Sequence, residues 1–240
     1  MQKNLYKNSY DLLQNDLKNK ILLLDGAMGT MIQQENLTAD DFGGEKYEGC
    51  NDYLVLQRPD VIKNIHKKYL EAGSDIIETN SFGALDIVLK DYNLEDTVFE
   101  MNKKAAELVN EAIAEYRSEH PEVTRNLYVA GALGPSNKSI SVTGGVTFEE
   151  LIHTYYTAVS GLMAGGVDLI LFETIQDTRN LKAAYLGLKK AMEENYTVPL
   201  MLSFTIESTG TTLAGQTADA FYYAVNHMNP FSVGLNCATG

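Results

Sequence analysis

The sequence predicts an α/β fold of the (β/α)8 barrel type, on three observations. Short runs rich in Ile, Leu and Val alternate with longer stretches of helical periodicity. The short runs are apolar on both faces, as in a parallel sheet covered by helices. Each run also ends in polar residues, and a parallel barrel gathers such ends on the one face where active sites are built.

The elements follow in order. Residues 21–25 (ILLLD) read as a buried first strand ending at Gly26. Pro59 and Asp60 open a helix with Val61, Ile62, Ile65, Tyr69 and Leu70 as its apolar stripe, and Gly73 lies just past its end. Residues 75–79 form strand two, and Val98, Met101, Ala105, Leu108, Val109 and Ala112 mark a long helix after it. Residues 127–131 are strand three. Thr147 and Glu150, at capping-box spacing, open a helix that ends at Gly165-Gly166. Residues 167–174 are strand four, and Asp177 caps a helix carrying Leu181, Ala184, Leu188 and Met192. Residues 199–206 are strand five, Thr217 caps a helix with Phe221 and Val225, and residues 232–236 are strand six.

The expectation is therefore a barrel domain over 20–240, truncated after the sixth strand, with 1–19 as an N-terminal extension. About seventy-five residues precede strand two, so a length suited to a whole barrel is used up two strands early.

Composition narrows the function. The 240 residues are 45% hydrophobic and 21% charged, an ordinary globular balance. A net charge of −13 without a Lys/Arg cluster excludes nucleic acid and anionic membrane as expected partners. No apolar run has the length of a membrane span, and the N-terminus lacks a signal-peptide pattern. Two cysteines without CxxC spacing point to a reducing cytoplasm. The turn Asp25-Gly26-Ala27-Met28-Gly29 lacks the G-x-G-x-x-G spacing of a dinucleotide site. The four histidines lie in or beside helical patterns without ligand spacing, and Cys50 reads as structural.

The strand ends carry the chemistry: Asp25, Glu78-Thr79-Asn80, residues 134–137, Glu173-Thr174, Thr205 with Glu207, and Asn236-Cys237. Asp25 and Glu173 stand out, because a carboxylate at the rim of an apolar core needs compensation. It can hold an ammonium group by a charge-assisted hydrogen bond, or act as a general acid or base. The glycine-rich loop after Asp25 leaves backbone N–H groups free near a helix start, and these can hold a carboxylate. Together these groups suit a zwitterionic amino acid.

The residues from Leu22 to Gln33 (LLLDGAMGTMIQ) resemble the opening of the homocysteine-binding domain of cobalamin-dependent methionine synthase. So do Asn51–Leu56 (NDYLVL), Gly73–Phe82 (GSDIIETNSF), Val129–Asn137 (VAGALGPSN), Gly165–Thr178 (GGVDLILFETIQDT), Thr211–Thr217 and Gly234–Ala238. The match runs in order from about residue 20 to the end, and betaine–homocysteine methyltransferase is a more distant relative.

The resemblance implies a barrel that binds homocysteine and zinc, with methylcobalamin as methyl donor and methionine as product. Partner domains binding cobalamin and methyltetrahydrofolate are implied with it. It places the homocysteine ammonium on Asp25 and Glu173, its carboxylate on the N–H groups near Gly26 and Ala27, and a first zinc thiolate at Cys237. Two further thiolates, a Cys-Cys pair in the family, are absent from this sequence. The chain alone is therefore expected to bind zinc weakly at most and to transfer no methyl group. Residues 139–146 are also shorter than the family leads one to expect. Two rival expectations remain: an association module acting through unpaired sheet edges, and an unrelated barrel enzyme using Asp25 and Glu173 in acid–base chemistry.

Overall fold

The computed structural model describes residues 9–238. Strands β1 (Ile76–Glu78), β2 (Tyr128–Leu133), β3 (Leu169–Ile175), β4 (Leu200–Phe204) and β5 (Ser232–Leu235) form one parallel sheet in the order β1-β2-β3-β4-β5. The helices are α1 (Ser9–Leu17), α2 (Met28–Gln34), α3 (Leu54–Gln57), α4 (Pro59–Ala72), α5 (Asp86–Leu89), α6 (Val98–Glu119), α7 (Phe148–Gly165), α8 (Thr178–Glu194) and α9 (Ala218–Val225).

Strand periodicity divides the core in two. Ile77, Val129, Leu133, Ile170, Phe172, Leu202 and Phe204 pack outward with the helices. Ile76, Tyr128, Ala130, Leu169 and Leu171 face inward and join a second cluster with Leu13 of α1. The segment expected as an extension thus carries a helix that docks on this inner cluster. The Tyr128 hydroxyl and the Asn126 amide both donate to Asp16, at 2.7 and 3.0 Å. Residues 1–8 of that expected extension lie outside the described residues.

The expected first strand is corrected. Residues 21–25 are reduced to one bridge, Leu24 to Ile76, so among the described residues the sheet has five strands rather than six. Nor is the segment buried: Ile21 is 84% and Leu23 53% exposed. An apolar run is buried on both faces only when strands flank it, and this one meets β1 alone. β5, at the other edge, is likewise half exposed.

The helix signals act as their chemistry requires. Gly73 and Gly166 take left-handed φ values of 108° and 93° at the ends of α4 and α7. Thr147 Oγ1 accepts the Glu150 N–H while a Glu150 carboxylate oxygen accepts the Thr147 N–H at 2.8 Å. Asp177 accepts the Arg179 N–H at 2.8 Å and so caps α8. Thr217 holds the N-cap position of α9, but its hydroxyl meets the Asp219 carboxylate instead of a backbone N–H. Gly161 and Gly165 let α7 approach α6 closely, since a Cβ there would lie 2.4 Å from the Phe99 carbonyl oxygen and 2.3 Å from that of Lys103.

Candidate active site

The C-terminal strand ends open into a cleft of about 520 Å3 lined by Asp25, Gly26, Ala27, Glu78, Glu173 and Asn236, among others. Asp25, Gly26, Ala27 and Glu173, singled out in the sequence, all line this one cleft. Asp25 is placed by β1: its N–H donates to the Ile76 carbonyl at 3.0 Å, and its Oδ1 accepts the Glu78 N–H at 3.0 Å. Glu173 follows Leu169 and Leu171 at a spacing of two, so it points inward at the top of β3.

Glu78 is the residue that sequence reasoning named only as a strand end. Its signal was available in the same alternation, because Ile76 and Glu78 share the inward face of β1. Asn236 was likewise seen only as a strand end. Its Nδ2 lies 3.3 Å from Glu173 Oε2.

Three carboxyl groups in one cleft repel each other and resist ionising. Burial, with the Glu173 charge adding and the Glu78 N–H opposing, raises Asp25 to about 7. Burial raises Glu173 to about 7. Glu78 is pushed well above its ordinary value by burial, then by Glu173 and Asp25. Among the described residues no Lys, Arg or His forms an ion pair with any of the three. A positive charge placed here would offset both the repulsion and the cost of desolvating these carboxylates.

The loops that frame the cleft are tied down by polar clamps. Asp52 accepts the Gly83 N–H at 3.0 Å, and the Asn80 amide donates to the Asn51 carbonyl at 2.8 Å. The short segment after β2 is held by α8, where Asp177 accepts from the Ser139 hydroxyl and the Ser141 N–H at 2.6 and 2.9 Å.

Cys237 is exposed at the end of β5, with the Thr174 hydroxyl 3.6 Å and the Asn236 amide nitrogen 3.5 Å from its sulfur. That donor set does not fit zinc. An amide N–H group repels a cation, and no group of three or more His, Cys, Asp or Glu side chains is placed to hold a metal ion among the described residues. Cys50 is buried in the large core, as its structural reading expected. No helix of the described residues is long and apolar enough to cross a membrane.

The fold is similar to that of the homocysteine methyltransferase MmuM from Escherichia coli. Its oxidised and metallated forms superpose with a TM-score of 0.78 at 22% identity, covering 94% of this chain and 77% and 78% of theirs. The apo form gives a TM-score of 0.71 at the same identity, over 94% of this chain and 76% of that one. At this identity the likeness is one of fold. In sequence, the homocysteine S-methyltransferase family model matches residues 22–239, and the chain belongs to that family.

Proposed function

We propose that the cleft binds homocysteine as its zwitterion and presents its sulfur for methylation. The observation that carries this reading is the cluster of Asp25, Glu78 and Glu173, three half-buried carboxyl groups without a cationic partner among the described residues. They receive the substrate ammonium, and the N–H groups near Gly26 and Ala27 receive its carboxylate. In the transfer the thiol loses its proton to solvent, a sulfur lone pair bonds to the methyl carbon, and the methyl group's bond to its donor breaks with the electron pair staying on the donor.

Methylcobalamin as donor, partner domains that bind cobalamin and methyltetrahydrofolate, and a role in making methionine are supported by the sequence resemblance. Zinc, with Cys237 as its first thiolate, rests on the sequence resemblance alone, since the groups around Cys237 among the described residues would not hold the ion by themselves. Two free cysteines favour a reducing cytoplasm.

Calorimetric titration with L-homocysteine tests the ammonium site. Asp25→Asn and Glu173→Gln should each weaken affinity by about tenfold to a hundredfold, the worth of a hydrogen bond to a charged group. Undiminished affinity in both variants removes the assignment.

A second reading, self-association, is favoured by the exposed Ile21, Leu23 and Leu235 at the two edges of the sheet. It predicts a mass in light scattering that rises with concentration, and a constant monomer mass would dismiss it.

A further inference from the structure

The end of β3 is irregular at one point. Phe172 pairs with Leu202 and Ile175 with Phe204, so three steps along β3 oppose two along β4. The extra residue makes a β-bulge directly after Glu173. Within it Thr174 has a φ of +54°, a left-handed conformation that is an outlier for a β-branched residue and persists only where its surroundings enforce it.

Asn236, at the end of β5, supplies that enforcement. Its Oδ1 accepts the Thr174 N–H at 3.0 Å, and its Nδ2 donates to the Thr174 hydroxyl at 2.8 Å. The amide is itself fixed, because Ser203 donates to Oδ1 at 2.7 Å and the Asn236 N–H donates to the Phe204 carbonyl at 3.1 Å. The same Nδ2 faces Glu173 Oε2 at 3.3 Å. One side chain therefore grips the strained residue by backbone and side chain together and also touches the carboxylate beside it.

We propose that Asn236 is a positioning residue for substrate recognition: by locking the Thr174 bulge and contacting Glu173, it aims the Glu173 carboxylate at the substrate ammonium. This rests on the proposed ammonium site. Without the amide, Thr174 is released toward an ordinary extended conformation. The inward direction of Glu173 is then no longer held.

The test is a double-mutant cycle read by calorimetric L-homocysteine affinity in the full chain, with Asn236→Ala, Glu173→Gln and the pair. Asn236→Ala should weaken binding about tenfold, and the double variant should bind no more weakly than Glu173→Gln alone. Asn236→Ser is uncharged and keeps a polar group in this place, but it loses the amide that bridges Thr174 and Glu173. It guards against a fold that fails with alanine, and it should show the same loss.

A second ligand separates positioning from general damage. 4-Mercaptobutyrate has the thiol and carboxylate of homocysteine without the ammonium, and its affinity should stay within about twofold of the parent's in either Asn236 variant. Equal losses for both ligands, additive losses in the cycle, or intact homocysteine affinity in both Asn236 variants would each overturn the proposal. If Glu173→Gln itself leaves homocysteine affinity unchanged, the ammonium site fails first, and the inference falls with it for that distinct reason.

Discussion

Asp25→Asn is expected to stabilise the ligand-free chain above neutral pH and to leave its stability almost unchanged in acid. The cause is the raised pKa of about 7 that burial imposes on Asp25. Between about pH 4 and pH 7 an unfolded chain has already released this proton while the native chain still holds it. The native state then binds more protons, so stability falls as pH rises through this window and levels off above it. A shift from 3.8 to about 7 corresponds to roughly 4 kcal/mol at about 1.4 kcal/mol per unit, an upper figure because Glu78 and Glu173 share the same proton balance.

Asparagine keeps the Oδ1 that accepts the Glu78 N–H and removes the ionisation. The expected difference between variant and parent in urea denaturation is near zero at about pH 4 and about 2–4 kcal/mol in the variant's favour at about pH 8. Comparing the two proteins matters, because His66 works in the opposite direction. Buried and pushed down to about 3, it costs stability as pH falls below its ordinary 6.5, and it does so in both chains alike. A variant no more stable than its parent at about pH 8 would show that Asp25 ionises there without penalty. The cluster would then lose its character as a site held in wait for a cation.

Local chemistry made much of this legible. Caps at Thr147, Asp177, Gly73 and Gly166 depend on neighbours within a few residues, and so do the apolar runs of β1 to β5. The carboxylates at the strand ends were visible for the same reason, since they interrupt those runs. Three features depended on distant partners and stayed hidden. Residues 21–25 have the composition of a buried strand, but burial needs flanking strands, and composition does not reveal which runs have them. Leu13 sits in a segment of mostly polar residues, and its complete burial comes from the far ends of β1, β2 and β3. Thr174 in a left-handed conformation runs against the preference of its type. The amide of Asn236, sixty-two residues away, holds it there.

Asp75→Ala is expected to lower stability by about 2–3 kcal/mol, the cost of losing charge-assisted hydrogen bonds in a part-buried place. The Asp75 side chain is 4% exposed. Its Oδ1 receives Lys20 Nζ at 2.6 Å, and its Oδ2 accepts the Leu23 N–H at 3.1 Å. Arg125 Nε lies 3.3 Å from Oδ1 as an ion pair, while its Nη2 donates to the Leu70 and Ser74 carbonyls at 3.1 Å. Alanine would leave the Leu23 N–H and the Arg125 charge without this partner in a part-buried place.

The loss reaches the site because residues 20–25 have so little else to hold them. Beyond Asp75, what holds them is one sheet bridge, Leu24 to Ile76, the Asp75 and Ile76 N–H groups donating to the Leu23 carbonyl at 2.8 and 3.0 Å, and the two bonds that join Asp25 to Ile76 and Glu78. Loosening this segment frees Asp25 at its end. Hydrogen exchange should therefore quicken at Leu23 and Asp25 in Asp75→Ala, and homocysteine affinity should fall although Asp75 does not line the cleft. Asp75→Asn, which retains an acceptor for Leu23, should lose about half as much stability, since it forfeits the charge and keeps the hydrogen bond. Unchanged stability together with unchanged exchange at Leu23 and Asp25 would show that the segment is held by its bridge and these other bonds and that Asp75 plays no part in presenting Asp25.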